Sequence, residues 1–249
     1  MNNPFQIQRE LRYGAPNCDE ILTNRFFTIG YSWYFRQAKW VLEIINRNDY
    51  LPTESERLNN FRADIRLPKR FRADLSAYKN NGYDRGHLVP SANQDIQEIQ
   101  NSETFLLSNM SPQKPNFNRK IWKDLEAAVR TLDKDEDILE TYVLTAPMFY
   151  FERKIETIGP PSGRYGIDVP IPHAFCKSVL AENKRGKLKL WTFVMENRQL
   201  DGEIEDYLVN TYDVEQIVGG RFWDRVSGND IHFQKKKPRK IWDYKNKDN

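Results

Sequence analysis

The sequence predicts an α+β fold with a central antiparallel sheet flanked by helices, and three observations lead to this prediction. The chain has 249 residues, a length that indicates one compact domain of elaborate topology. It contains segments with the alternation of β-strands and segments with the periodicity of α-helices. These segments follow one another without regular strand–helix alternation, which favours the α+β class over a parallel α/β sheet.

The first predicted element is a β-hairpin over residues 27–45, where aromatic and β-branched residues flank Arg36-Gln37-Ala38-Lys39. Three further strands are expected at 140–146, 174–181 and 187–195. A short polar turn at 183–186 separates the last two. All of these strands are expected to pair antiparallel in one sheet.

Helical signals occur at residues 92–102, 118–132, 202–209 and 214–218. Asp201 and Asp213 precede the last two as candidate N-caps, because a short acidic side chain accepts hydrogen bonds from the free N–H groups of a first helical turn. Gly219-Gly220 follows the last segment, as is typical of a helix C-terminus. The sequence therefore predicts helices that cover the sheet.

Charge is concentrated at the C-terminus. The 38 Lys and Arg residues and 35 Asp and Glu residues give a net charge of only +3, which by itself says little about partners. Seven of the cations lie between Lys235 and Lys247, with only Asp243 among them. We therefore expect one functional domain over residues 1–233 and a basic tail over 234–249, either solvated or in contact with a polyanion.

Composition excludes several classes of protein. No window approaches the roughly 20 consecutive apolar residues of a membrane-spanning helix, so no membrane partner is expected. Cys18 and Cys176 are the only cysteines, and their spacing fits neither a disulfide framework nor a zinc site. The first ten residues lack the apolar stretch of a secretory signal. The expected location is cytoplasmic for the chain as written, or secreted or periplasmic if a leader has been removed.

The most informative stretch begins at Asp84-Arg85-Gly86-His87. A polar run of this kind cannot be buried unpaired, so a role in core packing fits it badly. Further on, Asn118, Trp122, Glu126 and Arg130 recur at every fourth position of a predicted helix. This spacing places an amide, a carboxylate and a guanidinium along one ridge, while Trp122 is expected to belong to the core.

These residue types suit metal-assisted hydrolysis of a phosphodiester. An imidazole with an ordinary pKa of about 6.5 is largely neutral at physiological pH, so His87 is a candidate general base. Asn118 supplies a neutral oxygen of the kind that Mg²⁺ accepts as a ligand, and Glu126 is placed to accept hydrogen bonds from metal-bound water. Arginines on both sides would neutralise the charge that builds on phosphorus.

Several motifs in order carry a family resemblance. They are Tyr83-Asp84-Arg85-Gly86-His87, Thr104-Phe105-Leu106-Leu107-Ser108-Asn109, Pro112-Gln113, Asn118 with Trp122, Leu125 and Glu126, Thr145-Ala146-Pro147-Met148-Phe149, and Val169-Pro170-Ile171-Pro172-His173. By these motifs, over about residues 33–222, the chain resembles the DNA/RNA non-specific endonuclease family, which includes endonuclease G. The resemblance implies a ββα-metal nuclease fold, in which an antiparallel strand pair and the following helix pack against the central sheet.

The resemblance also implies roles for single residues. His87 would be the base on the strand pair, and Asn118 the direct protein ligand of Mg²⁺, with Mn²⁺ as a substitute. Glu126 would act through metal-bound water, and Asn109 would line the site.

Arginines are implied at the phosphate. The family pattern places Arg85 and Arg130 in contact with phosphate. It also requires an upstream arginine that stabilises the transition state, for which Arg57 is the candidate and Arg62 the rival.

Three hypotheses of function remain open at this point. The first is an endonuclease that cleaves DNA and RNA with little sequence preference. The second is a more selective nuclease on the same scaffold, such as a toxin, a defence effector or an exonuclease, and the third is a catalytically idle module that binds nucleic acid. The resemblance leaves a homodimer and an inhibitor protein open as partners.

Overall fold

The structure is a computed structural model that describes residues 8–45, 57–159 and 168–245, without the side chain of Asn229. Within these residues the chain forms ten β-strands and five α-helices. The strands are β1 (Glu20–Thr23), β2 (Phe27–Ser32), β3 (Gln37–Ile45), β4 (Asp84–His87), β5 (Met110–Gln113), β6 (Ile138–Met148), β7 (Thr157–Ile158), β8 (Val169–Pro170), β9 (Ala174–Asn183) and β10 (Leu188–Glu196). The helices are α1 (Glu98–Thr104), α2 (Pro115–Phe117), α3 (Lys123–Asp133), α4 (Thr211–Val218) and α5 (Asn229–Lys236), and a π-helical turn, Asn118–Trp122, joins α2 to α3.

Six strands form an antiparallel sheet at the centre of the fold, in the order β1-β2-β3-β6-β9-β10. The predicted hairpin is formed by β2 and β3, and the predicted pair at 174–195 by β9 and β10. The four inner strands β2, β3, β6 and β9 are buried almost along their whole length, because both faces of the sheet are covered. The α+β class with a central antiparallel sheet is therefore confirmed.

The helices lie on both faces of this sheet. On one face, α3 turns its apolar side inward, so that Leu125 and Val129 share a core with Val143 of β6. On the other face, Val214 of α4 and Ile231 of α5 pack into a second core. Within residues 8–45, 57–159 and 168–245, every helix is too short or too polar to cross a bilayer.

The helices differ in extent from the sequence prediction. The signal at 92–102 corresponds to a 3₁₀ turn, Ser91–Asn93, and then α1. The helix predicted at 118–132 is confirmed over α3, but the chain between Asn118 and Trp122 is kinked at Lys120, whose dihedrals (φ −119°, ψ −111°) are not helical. Helical structure begins earlier, with Pro115 at its first position, where a missing N–H costs nothing. The segment predicted at 202–209 is a 3₁₀ helix, Ile204–Tyr207. The N-cap of α4 is Asn210 rather than Asp213, because its side chain accepts the free N–H of the first turn.

A separate two-stranded ribbon and a helix follow one another as the ββα unit. Strands β4 and β5 pair antiparallel, with His87 opposite Met110, and the chain then enters α2, the π-helical turn and α3. A Cβ on Gly86 would come within 2.1 Å of the buried Gln113 side chain. Glycine is therefore required at position 86 for the two strands to close.

The C-terminal segment is packed onto the domain, which differs from the predicted tail. The predicted boundary between residues 233 and 234 falls within α5. Lys235 is buried and donates to Glu215 Oε1 at 2.7 Å. Trp242 Nε1 donates to the Ala128 carbonyl at 2.9 Å, and its ring lies 5.1 Å from that of Trp191. The prediction of a tail relied on the run of cations and did not weigh the aromatic and aliphatic residues between them. Burial of these apolar residues stabilises the packed position of the segment.

Candidate active site

His87 lies at the end of β4 and is half-buried. Its Nε2 atom is buried, and no described group hydrogen-bonds to it. Burial, followed by the nearby charges of Arg57 and Arg85, lowers the pKa of His87 to about 3. The imidazole is therefore neutral at physiological pH and has a nitrogen able to accept a proton.

Two phenylalanines frame the imidazole. The ring of Phe105 meets His87 edge-on, with 4.9 Å between centroids, and the ring of Phe61 lies 5.7 Å away. The guanidinium of Arg85 stacks 4.1 Å from the centre of Phe61. That of Arg57 lies 5.6 Å from the centre of Phe105. Because cation–π contacts restrain these flexible side chains, the two phenylalanines hold both cations beside the imidazole.

Of the two upstream arginines considered from sequence, Arg57 is the one beside His87. Its positive charge contributes to the low pKa of the imidazole. Arg62 instead donates from Nη1 to the carbonyls of Asn60 and Ser102, at 3.2 and 2.9 Å. The side chain of Arg62 therefore fastens a loop, and the geometry favours Arg57 as the arginine of the site.

Asn118 opens the π-helical turn, and one contact orients its amide. Nδ2 donates to Asp84 Oδ2 at 2.9 Å, which leaves Oδ1 available as a ligand. Asp84 is held in turn by Arg119, which donates from Nε at 2.9 Å and from Nη2 at 2.6 Å. Burial alone would raise the pKa of Asp84, but the hydrogen bonds from Arg119 and Asn118 outweigh it and lower the pKa. An amide oxygen beside an ionised carboxylate fits a hard divalent cation.

Asn109 lies beneath the site rather than in its lining, which corrects the expectation from sequence. It is fully buried. Its Nδ2 donates to the carbonyls of Val89 and Thr104, at 3.0 and 2.9 Å, and its Oδ1 accepts from the N–H of Val89 at 3.0 Å. Because the amide is engaged at both ends by backbone groups, Asn109 fixes the chain that follows His87 and does not face a substrate.

Glu126 and Arg130 belong to what we call the buried polar cluster, in which they are half-buried and join the fully buried Glu43 and Lys177 between α3 and the sheet. Asn93 joins two of its members, since it donates to Glu43 Oε1 at 3.0 Å and accepts from Arg130 Nη1 at 3.1 Å. Burial raises the pKa of both glutamates to about 7, against the opposing charge of Lys177. Sequence reasoning missed Glu43 and Lys177, although a charge inside an apolar strand was a signal for each.

A ribbon that carries a neutral histidine, followed by a helix that carries an oriented amide oxygen, defines the ββα-metal class of nucleases. The chain belongs to the DNA/RNA non-specific endonuclease family, whose sequence pattern it matches over residues 9–229. Nucleases of this family depend on a metal ion and act on nucleic acids.

Three similar proteins illustrate this membership. Mitochondrial endonuclease G of Caenorhabditis elegans is 30% identical over 237 residues, which cover 92% of this chain and 76% of that protein. Human mitochondrial endonuclease G is 30% identical over 84% of this chain and 71% of its own length. The crystal structure of the EndoG/EndoGI complex matches with a TM-score of 0.79 and 29% identity, over 88% of this chain and 91% of that one. By family and by fold, this chain is a non-specific nuclease.

Proposed function

We propose that this chain cleaves DNA and RNA internally at phosphodiester bonds, with Mg²⁺ as its ion and Mn²⁺ as a substitute. The observation that supports this most is the buried Nε2 of His87, which lies beside Arg57 and Arg85 and has no hydrogen-bond partner among the described residues. A neutral imidazole between two cations suits the removal of a proton from water next to an anionic phosphate.

The side chains divide the chemistry between them. His87 accepts at Nε2 a proton from the water that attacks phosphorus. Arg57 and Arg85 stabilise the negative charge that grows on the phosphoryl oxygens. Asn118 would hold the ion through Oδ1, and Glu126 would accept hydrogen bonds from its waters. When bound, the ion supplies Lewis-acid stabilisation of the phosphate.

Weak sequence preference follows from what these groups contact. Guanidinium groups and a hydrated ion address the phosphate, which is common to every nucleotide, and base edges carry the sequence information. Cleavage of duplex, single-stranded and RNA substrates is therefore expected at comparable rates. Binding should weaken steeply as salt rises, because phosphate contacts release counterions.

The test is cleavage of plasmid and RNA with Mg²⁺, with and without EDTA, by the wild-type chain and by His87→Ala. We expect His87→Ala to lower the rate about 10²- to 10⁴-fold, the range for loss of a general base. His232→Ala is the matched control, since that ring is exposed and contacts Tyr212. Undiminished cleavage by the His87 variant would refute the proposal, and binding without turnover by the wild-type chain would favour an idle module.

We also infer that an inhibitor protein binds over the active site, an inference supported by the similarity to EndoG in its complex with EndoGI. We further propose that the chain works as a homodimer, which sedimentation equilibrium tests. An intracellular location is proposed from the names of the mitochondrial relatives, and cell fractionation tests it. Competition between an inhibitor and a short duplex for the wild-type chain tests the first.

A further inference from the structure

Lys177 is an ammonium group at the centre of the fold. It lies in β9 and is 1% exposed. Its Nζ donates to Thr145 Oγ1 at 2.7 Å, directly across the strand pair, and lies 4.8 Å from the centre of the Trp122 ring. A hydroxyl and an indole face replace only part of the hydration that a buried ammonium loses.

The opposing charges come from the two carboxylates of the buried polar cluster. Burial lowers the pKa of Lys177, and the charges of Glu126 and Glu43 oppose this shift and favour the ammonium form. Glu43 is fastened by two amides, Asn93 Nδ2 at 3.0 Å and Gln94 Nε2 at 3.4 Å. Burial raises the pKa of Glu126, and the charges of Lys177 and Arg130 oppose this shift.

Stability of the fold does not by itself account for a lysine at this position. Replacement of a buried ionic group by an apolar residue of similar volume is often neutral or stabilising. Phe175 and Val179, the neighbours two positions away in β9, are apolar and belong to the core under α3. Lys177 interrupts that apolar face where Trp122 covers it. Trp122 precedes Glu126 by four positions and therefore lies on the same side of the helix, and this juxtaposition points to a role in the site.

The buried polar cluster reaches both halves of the candidate active site. Trp122, on which Lys177 stacks, ends the π-helical turn that Asn118 begins. Asn93, which binds Glu43 and Arg130, lies in the 3₁₀ turn that follows β4 and His87. Lys177 therefore packs on the turn that begins with the proposed metal ligand, and Glu43 is bonded to the turn that follows the proposed base.

We propose that Lys177 is a positioning residue for Glu126. Its ammonium, packed on Trp122 four positions before Glu126, would keep the Glu126 carboxylate ionised and available to the waters of a bound ion, while Lys177 itself would contact neither substrate nor metal. This inference rests on the proposed function, because it assigns the work of Lys177 to the same site. The opposing carboxylate of Glu43 makes the idea testable, since its removal changes the charge balance without touching Lys177 or Glu126.

The test compares Lys177→Met, which keeps the length of the side chain and removes its charge, with the double variant K177M/E43Q. We expect K177M to remain folded by circular dichroism and to bind Mn²⁺ about 10-fold more weakly in calorimetry without substrate. We expect kcat on a linear duplex to fall while KM changes little. E43Q in the K177M background should restore part of both losses, because it removes the repulsion between Glu43 and Glu126 that the lost ammonium had balanced.

The control is Lys189→Met, the same substitution at an exposed position of the adjacent strand β10, which should match the wild-type chain. Wild-type Mn²⁺ affinity in K177M would overturn the inference. A loss that follows the unfolded fraction and is not relieved by E43Q would also overturn it, since that is a purely structural role. If K177M alone does not fold, the comparison of E43Q with K177M/E43Q carries the same test.

Failure of the proposed function would be recognised separately. In that case the wild-type chain would leave plasmid and RNA intact in Mg²⁺, while the Mn²⁺ titrations would still decide the role of Lys177. A wild-type chain that bound no Mn²⁺ would overturn both.

Discussion

Asn118 and Asp84, 34 positions apart in the chain, are joined by a hydrogen bond of 2.9 Å from Nδ2 to Oδ2. This bond ties the first strand of the ββα unit to the beginning of its helix. Because Nδ2 and Oδ1 lie on opposite sides of one planar amide, the bond also decides where Oδ1 points. The direction of the proposed metal ligand therefore depends on a carboxylate that is not itself a ligand.

Replacement of Asp84 by alanine should weaken the use of the ion. We expect the Mg²⁺ concentration at half-maximal rate to rise about 10- to 100-fold, the usual effect of losing a partner that orients a ligand. The measurement is the cleavage rate of duplex DNA across a Mg²⁺ titration. Arg119→Ala removes the exposed ion pair but keeps the bond to Asn118, so it should stay close to wild type. Equal effects of the two substitutions would contradict the orienting role.

Replacement of Arg85 by alanine should raise the pKa of His87. Burial and the charges of Arg57 and Arg85 lower this pKa to about 3, and a nearby cation disfavours the protonated imidazole. Removal of one cation therefore favours protonation, and the titration moves to higher pH. NMR titration of the imidazole without substrate measures the pKa of His87 in each variant. Arg62→Ala loses only loop contacts and should not change this pKa. A lower pKa in Arg85→Ala would refute the electrostatic cause.

Asp64 should make the fold sensitive to acid. It is buried and accepts hydrogen bonds from Arg66 Nη2 at 2.6 Å and from Ser108 Oγ at 2.7 Å. Burial alone would raise the pKa of Asp64, but these bonds outweigh it and lower the pKa below its usual value. The ionised form therefore stabilises the fold above the unfolded pKa of about 3.9, and this contribution is lost as the pH falls through the lower folded pKa.

Asp64→Asn is accordingly expected to lower the free energy of unfolding by about 2 kcal/mol at neutral pH. The difference from wild type should shrink as the pH falls through the folded pKa, because both chains then carry a neutral side chain. Urea denaturation of both chains at a series of decreasing pH values measures this difference in the free energy of unfolding. A difference that stays constant with pH would mean that the charge of Asp64 does not contribute.

Trp242 should anchor the C-terminal segment to the domain. Its ring packs against Trp191 and its Nε1 donates to Ala128. We expect Trp242→Ala to lower the free energy of unfolding by about 3 kcal/mol, as for other truncated aromatic residues in a core. Phe233→Ala is the matched control, because that ring is 64% exposed and its loss should cost under about 0.5 kcal/mol. Equal stability of the two variants would support a free tail after residue 233.

Local rules predicted the parts of the fold that depend on neighbours in sequence. The hairpin at 27–45 and the pair at 174–195 followed from alternation and turn residues, and the long helix followed from its four-residue spacing. Helix boundaries were less predictable. Asn210 replaced Asp213 as an N-cap, because the first residue with helical dihedrals is decided by packing as well as by local preference.

In the candidate site, too, features that depend on neighbours in sequence were predictable and features that depend on distant residues were not. His87 and Asn118 were found from sequence because each lies in a contiguous motif of characteristic residue types. Asn109 was misplaced, since its partners are backbone groups of distant residues. The frame of Phe61 and Phe105 gave no local signal, because aromatic residues make up 13% of the chain and most of them pack in cores.

The amino-acid sequence alone determined the class of fold and the family, and it supplied the candidates for the base and the amide ligand, since these reside in local patterns. Only the tertiary structure decided the pKa of His87, the direction of the Asn118 amide, the place of the C-terminal segment and the position of Lys177 against Trp122. The physical reason is that burial and electrostatic interaction depend on distances through space. Those distances are set by strands and helices that are remote in sequence and meet only when the sheet and the ββα unit are assembled.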